Sequence, residues 1–165
     1  MNTQFCEARV PLWDDLSLYL DGNSKIARSN GTYAKPRPNA FALPAASVTG
    51  GGYCPGSTVA CRSSCYVHGL AAHAPGLYAH YRANAHALIC ALQSAHKSAL
   101  SASILGDWIA ANAPAGFRWH VSGDVWNLQH ADWIVAVCAE SPTVPHWIYT
   151  RTLDAVDVLR QAPNL

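Results

Sequence analysis

The sequence predicts an α/β protein, with about three parallel strands flanked by helices and preceded by an irregular N-terminal arm. Two observations carry this prediction. Strand-like and helix-like segments alternate from Phe41 to Gln161, and this alternation is typical of a parallel sheet. The 165 residues, half of them hydrophobic, suffice for one domain with a buried core. We divide that domain into an N-terminal part, 1–40, and a main part, 41–165.

The first 40 residues are predicted to contain one helix and little else. Leu12–Leu20 has apolar residues on one side, and Asp14 and Asp15 stand in its first turn, where acidic groups favour a helix. The turn residues Asp21–Asn23 end it. The polar segment Ser24–Asn39 then forms the irregular arm.

The main part supplies the strands and helices of the predicted sheet. The predicted strands are Phe41–Val48, Phe117–Val121 and His146–Thr150, and the predicted helices are Pro75–His96, Ser98–Asn112, Leu128–Ala139 and Leu153–Gln161. Three parallel strands leave an edge without hydrogen-bond partners. A second copy of the chain in a homodimer, further strands of a larger sheet, or the N-terminal arm would cover that edge.

The charge balance argues against several kinds of partner. Eleven Lys and Arg stand against ten Asp and Glu, a formal net charge of +1, which argues against nucleic acid and against a polybasic membrane anchor. The chain has no run of about 18 apolar residues that would span a membrane. Met1–Val10 carries Glu7 and Arg9 rather than an apolar signal segment. We therefore expect a cytoplasmic protein without a membrane partner.

The most informative segment holds Cys54, Cys61 and Cys65 at the spacing C-x6-C-x3-C, after the glycine hinge Gly50–Gly52. Thiolates suit iron–sulfur clusters and zinc, and a flexible loop lets three of them converge. A cluster with three ligands leaves one iron open to a small molecule. His68 would instead complete a Cys3His zinc site, and loop cysteines without metal are the third alternative.

The other three cysteines receive no role in this interpretation. Cys138 lies on the apolar side of its predicted helix and Cys90 among small residues, positions where free cysteine is usually an inert core residue. Cys6 is left unassigned.

An ordered set of short motifs resembles a known family. The set consists of Asn23-Ser24-Lys25, Leu43-Pro44, Cys54-Pro55-Gly56, Cys61, Cys65-Tyr66, His120-Val121-Ser122-Gly123-Asp124 and Tyr149-Thr150-Arg151. It is similar to the phage "gene product eighty-eight" family, which looks like a divergent branch of the radical S-adenosylmethionine (SAM) superfamily. The match runs from Asn23 onward and implies a phage protein located in the host cytoplasm.

The resemblance implies a fold, cofactors and a reaction. The fold would be a partial (β/α) barrel, and Cys54, Cys61 and Cys65 would hold a [4Fe-4S] cluster whose open iron binds SAM. An electron supplied by a host donor would cleave SAM to a 5′-deoxyadenosyl radical, which takes hydrogen from an unknown substrate. The cysteine spacing departs from the superfamily's C-x3-C-x2-C. Rival functions are a non-catalytic zinc-stabilised binding module and an electron-transfer or sensing iron–sulfur protein.

Residues at the ends of the later strands are the candidate SAM ligands. Ser122, Gly123 and Asp124 follow the second predicted strand, at the edge where parallel sheets bind ligands. Gly123 would admit the ligand closely, and Asp124 would accept a hydrogen bond from its ammonium group. Alternatively, this Gly-Asp pair is a turn that caps the next helix.

Four further residues complete the candidate site. Tyr66 follows the last cysteine of the loop, and Arg151, after the third strand, would hold a carboxylate or phosphate. Asn127 lies just beyond Asp124 and is expected to contact the ligand. His120 is either an acid or base that faces the substrate or a core histidine. No catalytic residue is assigned.

Overall fold

The computed structural model describes residues 7–22, 38–46 and 52–165. Several sequence predictions lie outside these residues: most of the arm Ser24–Asn39, the end of the strand Phe41–Val48, the glycines Gly50 and Gly51, and Cys6. In the described part the strands are β1 (Glu7–Trp13), β2 (Leu16–Asp21), β3 (Ala40–Phe41), β4 (Phe117–Trp119) and β5 (His146–Ile148). The helices are α1 (Val59–Ser63), α2 (Leu70–His73), α3 (Pro75–Ala91), α4 (Ala95–Asn112), α5 (Leu128–Glu140) and α6 (Val156–Leu159), with a short 3-10 helix at Leu153–Ala155.

The predicted helix Leu12–Leu20 is wrong, because this segment belongs to an antiparallel hairpin. β1 pairs with β2, and Asp14 and Asp15 form the turn between them. Asp14 has a φ of +47°, a left-handed conformation that Asp tolerates better than most residues. The alternation of Leu16, Leu18 and Leu20 is the strand signal that outweighs the helical spacing.

The partial (β/α) barrel is also wrong, since the described strands form an open five-stranded mixed sheet in the order β1-β2-β3-β4-β5. The pairs β1–β2 and β2–β3 are antiparallel, whereas β3–β4 and β4–β5 are parallel. Three parallel strands were therefore predicted correctly. The hairpin covers the edge of β3, so of the three alternatives for that edge it is the N-terminal part of this chain that pairs with it there.

All three parallel strands are shorter than predicted. β4 ends at Trp119 because His120 turns to a left-handed φ of +55°, a conformation that breaks the ladder. β5 ends at Ile148, two residues before the predicted end. The last predicted helix, Leu153–Gln161, is a 3-10 turn followed by the single turn of α6.

The long helices flank the sheet and end close to their predicted boundaries. Pro75 opens α3, and Ser94 caps α4 by accepting a hydrogen bond from the Lys97 backbone N–H. The fully buried Asn84 of α3 binds the Tyr19 backbone on β2 through both its amide oxygen and its amide nitrogen. Its amide nitrogen also donates to the carbonyl of Ala42, so α3 anchors the hairpin to the segment after β3.

The core lies between the sheet and the helices and is rich in aromatic rings. Phe41, Phe117, Trp119 and Trp133 are all buried in one cluster. The segments that follow β3, β4 and β5 leave this core at one edge of the sheet and meet the cysteine loop there. Within the described part of the chain, no helix is both long enough and apolar enough to cross a bilayer.

Candidate functional site

The three cysteines of the loop line a single cleft of about 480 Å³ at the C-terminal edge of the parallel strands. Its wall from the loop, here called the cysteine wall, consists of residues 54–67. Its wall from the strand ends, here called the sheet wall, consists of residues 121–124 and 149–151. The lining comprises Ala45, Cys54, Ser57, Cys61, Cys65, Tyr66, Val67, Val121, Ser122, Gly123, Asp124, Tyr149, Thr150 and Arg151.

Local interactions bend the cysteine wall so that its thiols face one space. Thr58 caps α1 by accepting a hydrogen bond from the Cys61 backbone N–H at 3.1 Å. Arg62 donates to the carbonyl of Ser57 at 2.7 Å and closes the first turn of the loop. All three cysteines of this wall are free thiols of intermediate exposure.

Gly56 sets the distance between the two walls. A Cβ atom at this position would lie 2.0 Å from the carbonyl oxygen of Arg151 and 2.9 Å from the nitrogen of Thr152. Only a residue without a side chain can approach the backbone after β5 so closely. The absence of a side chain at Gly56 therefore lets the cysteine wall contact the sheet wall directly.

The surroundings of Cys54 disfavour its thiolate form. Burial raises its pKa, and the negative charges of Asp124, Cys65 and Cys61 add to the rise, while a hydrogen bond from the Ala46 backbone lowers it. The same charges show that the three thiols and the Asp124 carboxylate are electrostatic neighbours. Cys54 thus holds its proton more tightly than an isolated cysteine.

Asp124 is the centre of the sheet wall, with only 5% of its surface exposed. Its Oδ1 accepts hydrogen bonds from the Val125 N–H at 2.7 Å and from the Thr150 hydroxyl at 2.6 Å. Its Oδ2 accepts from the Arg151 N–H at 2.8 Å. The carboxylate thereby ties the end of β4 to the end of β5, and Oδ2 keeps an acceptor position.

Gly123 and Ser122 differ in what they offer the cleft. Gly123 has a φ of +76°, and a Cβ there would lie 2.6 Å from the Cβ of Leu43. Glycine is therefore required by backbone packing, whatever the cleft binds. Ser122 is buried, and its hydroxyl finds no hydrogen-bond partner within the described residues. A buried hydroxyl without a partner is costly unless a ligand or water satisfies it.

Two further candidates, Tyr66 and Arg151, stand at the mouth of the cleft. Tyr66 is 79% exposed, and its hydroxyl donates to the carbonyl of Val121. The exposed guanidinium of Arg151 makes no hydrogen bond or ion pair with the described part of the chain, although its backbone is fixed by Asp124.

Asn127, His120 and His68 are not among the described residues that line the cleft. Asn127 caps α5 by accepting from the His130 N–H at 2.8 Å, so the helix cap predicted for the Gly-Asp pair belongs to Asn127. His120 is buried, and this lowers its pKa to about 3. It is therefore a neutral core imidazole. Nε2 of His68 lies 2.8 Å from the Ala46 carbonyl, which leaves only Nδ1 free for a metal.

The remaining described cysteines are also away from the cleft. Cys138 is buried on α5, where burial raises its pKa to about 12. Cys90 lies on α3, with its sulfur 3.8 Å from Nε2 of His86.

Sequence reasoning missed Thr150 and Ser57, which also line the cleft. Thr150 donates to Asp124 and accepts from the Thr152 N–H at 3.0 Å, so it orders the whole turn after β5. Its place two residues beyond the end of a parallel strand is the signal that would have found it. No pattern in the sequence predicts that Ser57 lines the cleft, because its position depends on how the loop bends.

Comparison with known proteins decides the family. A family model described as gene product 88 matches residues 17–165, which is most of the chain.

The chain belongs to the gene product 88 family. The match includes both walls of the cleft, so the cysteine loop and the strand ends are part of the family domain. No curated protein and no solved structure matches the chain. Within the described residues, no three His, Cys, Asp or Glu side chains are arranged to hold one metal ion.

Proposed function

We propose that this gene product 88 protein is an iron–sulfur enzyme of the radical SAM type. Cys54, Cys61 and Cys65 would hold a [4Fe-4S] cluster, and the open iron would bind SAM. One observation carries the proposal: the three thiols line one cleft together with an acidic group, a free guanidinium and a buried hydroxyl that has no described partner.

The placement of the thiols favours a cluster over a single zinc ion. A structural zinc site needs four donors at about 2.0–2.3 Å from one point. Each thiolate of a four-iron cluster binds a different iron, so the sulfurs need only face a common space. His68, the fourth zinc ligand of the alternative, already uses Nε2 on a backbone carbonyl.

Binding of a cluster requires the thiols of Cys54, Cys61 and Cys65 to lose their protons. Cys54 resists this, because burial and neighbouring negative charge raise its pKa. The Ala46 N–H partly offsets that resistance by stabilising the thiolate. Assembly of the cluster is therefore expected to be more complete at alkaline than at acid pH.

The sheet wall offers a complementary pair of groups to an amino acid. The Asp124 carboxylate has one acceptor position left for an ammonium group, and the Arg151 guanidinium is free to bind a carboxylate. The Ser122 hydroxyl, buried beside them, is available to satisfy a further polar atom of the ligand. A cluster held by Cys54, Cys61 and Cys65 and reduced by an external donor would supply the electron that cleaves the 5′ carbon–sulfur bond of SAM, giving methionine and the 5′-deoxyadenosyl radical.

Metal analysis after anaerobic purification tests the cluster. Wild type should contain iron and sulfide in equal amounts, and Cys61→Ala should lose most of both. Cys90→Ala is the matched control, because Cys90 is a half-buried cysteine outside the cleft, and it should keep the wild-type content. Zinc without iron or sulfide in wild type would overturn the proposal in favour of the zinc-stabilised binding module.

Turnover requires a second measurement. Wild type incubated with SAM and dithionite should release 5′-deoxyadenosine, and Cys61→Ala should release none. A complete cluster without any 5′-deoxyadenosine would refute the enzyme and leave an electron-transfer or sensing protein.

A further inference from the structure

The net charge of +1 hides a strong separation of charge along the chain. Between Gly22 and Gly106 there is no Asp or Glu, whereas there are seven Lys and Arg. All ten acidic residues lie outside this segment. Such asymmetry indicates an anionic partner even where the total charge is near zero.

The acid-free segment contains a second cavity, separate from the cysteine cleft. It has a volume of about 420 Å³ and is lined by Pro44, Ala45, Gly52, Tyr53, Tyr78, Arg82, His86 and Ile89. This volume falls within the roughly 300–1,000 Å³ of small-molecule sites. Ala45 lines both spaces, so the two sites lie back to back.

One wall of this cavity is a row of side chains on α3. Tyr78, Arg82 and His86 are four residues apart, a spacing that places them on one face of a helix. Arg82 and His86 are exposed, and Arg82 makes no hydrogen bond or ion pair with the described part of the chain. No described residue of the lining is acidic. A free guanidinium beside an imidazole is a suitable pair of donors for a phosphate group; Nε2 of His86 contacts the Cys90 sulfur, so Nδ1 is the nitrogen left to donate.

Aromatic rings stand beside this basic pair. Tyr53 and Tyr78 are both half-buried residues of the lining. Tyr53 is held firmly, since its ring packs on Trp126 with centroids 5.0 Å apart and its carbonyl accepts from the Asp124 N–H at 2.7 Å. Aromatic rings beside basic groups are the usual means of binding bases and phosphates together.

We propose that this cavity binds a nucleotide unit, with its phosphate at Arg82 and His86 and its base against Tyr53 and Tyr78. The unit is either a free nucleotide or one residue of a single strand. The inference does not depend on the function of the cysteine cleft, because none of the three cleft cysteines lines this cavity.

Fluorescence polarisation tests the proposal on the purified full-length chain. Probes are labelled adenosine monophosphate and a labelled single-stranded oligodeoxynucleotide, with inorganic phosphate as competitor. Wild type should bind at least one probe saturably, and Arg82→Gln should weaken that binding about tenfold, the loss of one good phosphate contact. Lys97→Gln is the matched control, since Lys97 also lies in the acid-free segment but outside the cavity. It should change affinity less than twofold.

The two probes separate the two sources of the ligand. Tighter binding of the oligonucleotide, with a steep loss on adding salt, assigns the site to a single strand. Equal or tighter binding of the mononucleotide assigns it to a free nucleotide.

Three results would overturn the proposal. These are no saturable binding of either probe, an equal loss in Arg82→Gln and Lys97→Gln, and competition by inorganic phosphate as effective as that by adenosine monophosphate. An equal loss in both variants would mean that the probes are attracted by the overall charge of the segment. Equally effective competition by inorganic phosphate would mean that the cavity binds an anion and that the tyrosine rings add no affinity.

Discussion

The two walls of the cysteine cleft are held in place by different forces. The sheet wall is tied by three hydrogen bonds to the buried Asp124 carboxylate. The cysteine wall has no comparable anchor: α1 contains no buried residue, and Val59 within it is 74% exposed. It rests on the buried Val67, the close approach of Gly56, the hydrogen bond from the Ala46 backbone to Cys54 and one hydrogen bond from Tyr66. The sheet wall is thus preformed, whereas under the proposed function the cysteine wall would gain much of its stability from the bound cluster.

The largest effect should come from removing the anchor of the sheet wall. Asp124→Ala leaves three donors without their buried acceptor, and we expect a loss of about 4 kcal/mol in the free energy of unfolding. Urea denaturation followed by tryptophan fluorescence measures this loss. Asp124→Asn, which keeps one oxygen, should lose about half as much. Wild-type stability in Asp124→Ala would show that the sheet wall is not held in this way.

A second, smaller effect concerns the pH dependence of stability and His146, the first residue of β5. His146 accepts from the Trp119 indole N–H through Nδ1 and lies 2.9 Å from the Ser141 hydroxyl through Nε2. Burial lowers its pKa to about 4, so the neutral ring is the stable form. Since the unfolded chain has the higher pKa, it binds more protons between about pH 6.5 and 4, and stability falls as pH falls through that range.

The size of this contribution follows from the shift. A pKa lowered from the ordinary 6.5 to about 4 corresponds to about 3 kcal/mol. His146→Gln preserves an acceptor and a donor but does not titrate, so its free energy of unfolding should fall by about 3 kcal/mol less than that of wild type over the same range. Denaturation of the metal-free protein at several pH values provides the comparison. An identical pH dependence of stability in wild type and His146→Gln would contradict the assignment of this acid destabilisation to His146.

The smallest effect on stability should come from the cysteine wall. Gly56→Ala forces a methyl group into the Arg151 backbone, and we expect a loss of about 2 kcal/mol together with a clear drop in bound iron. Gly76→Ala is the control, because nothing lies within 4 Å of its new Cβ. It should bind iron as wild type does. If both variants keep their iron, close approach at Gly56 does not position the cysteines.

The helices were the most predictable part of the fold. α3, α4 and α5 lie within a few residues of their predicted positions, because apolar spacing, caps and proline act locally. The hairpin was not predictable by the same reasoning. Leu12–Leu20 carries both a helical and an alternating pattern, and only pairing with β3 and contact with α3 decide between them.

Within the candidate site, the cysteines and the Ser122–Asp124 turn were predicted by type and spacing. The role of Asp124 was not, because its donors Thr150 and Arg151 lie 26 and 27 residues away along the chain. Asn127 was wrongly expected to contact the ligand, because it lies close to Asp124 in sequence. Its side chain instead caps α5.

The amino-acid sequence by itself determined that three thiols share one loop, that helices follow the strands, and that acidic residues are missing from half of the chain. These properties depend on neighbours along the chain. Only the tertiary structure decided that the sheet is mixed and open, and that the thiols face Asp124. It also decided that Arg82 and His86 share a cavity with Tyr53. Each of these depends on residues far apart in sequence, whose contacts are set by packing and hydrogen bonding in three dimensions.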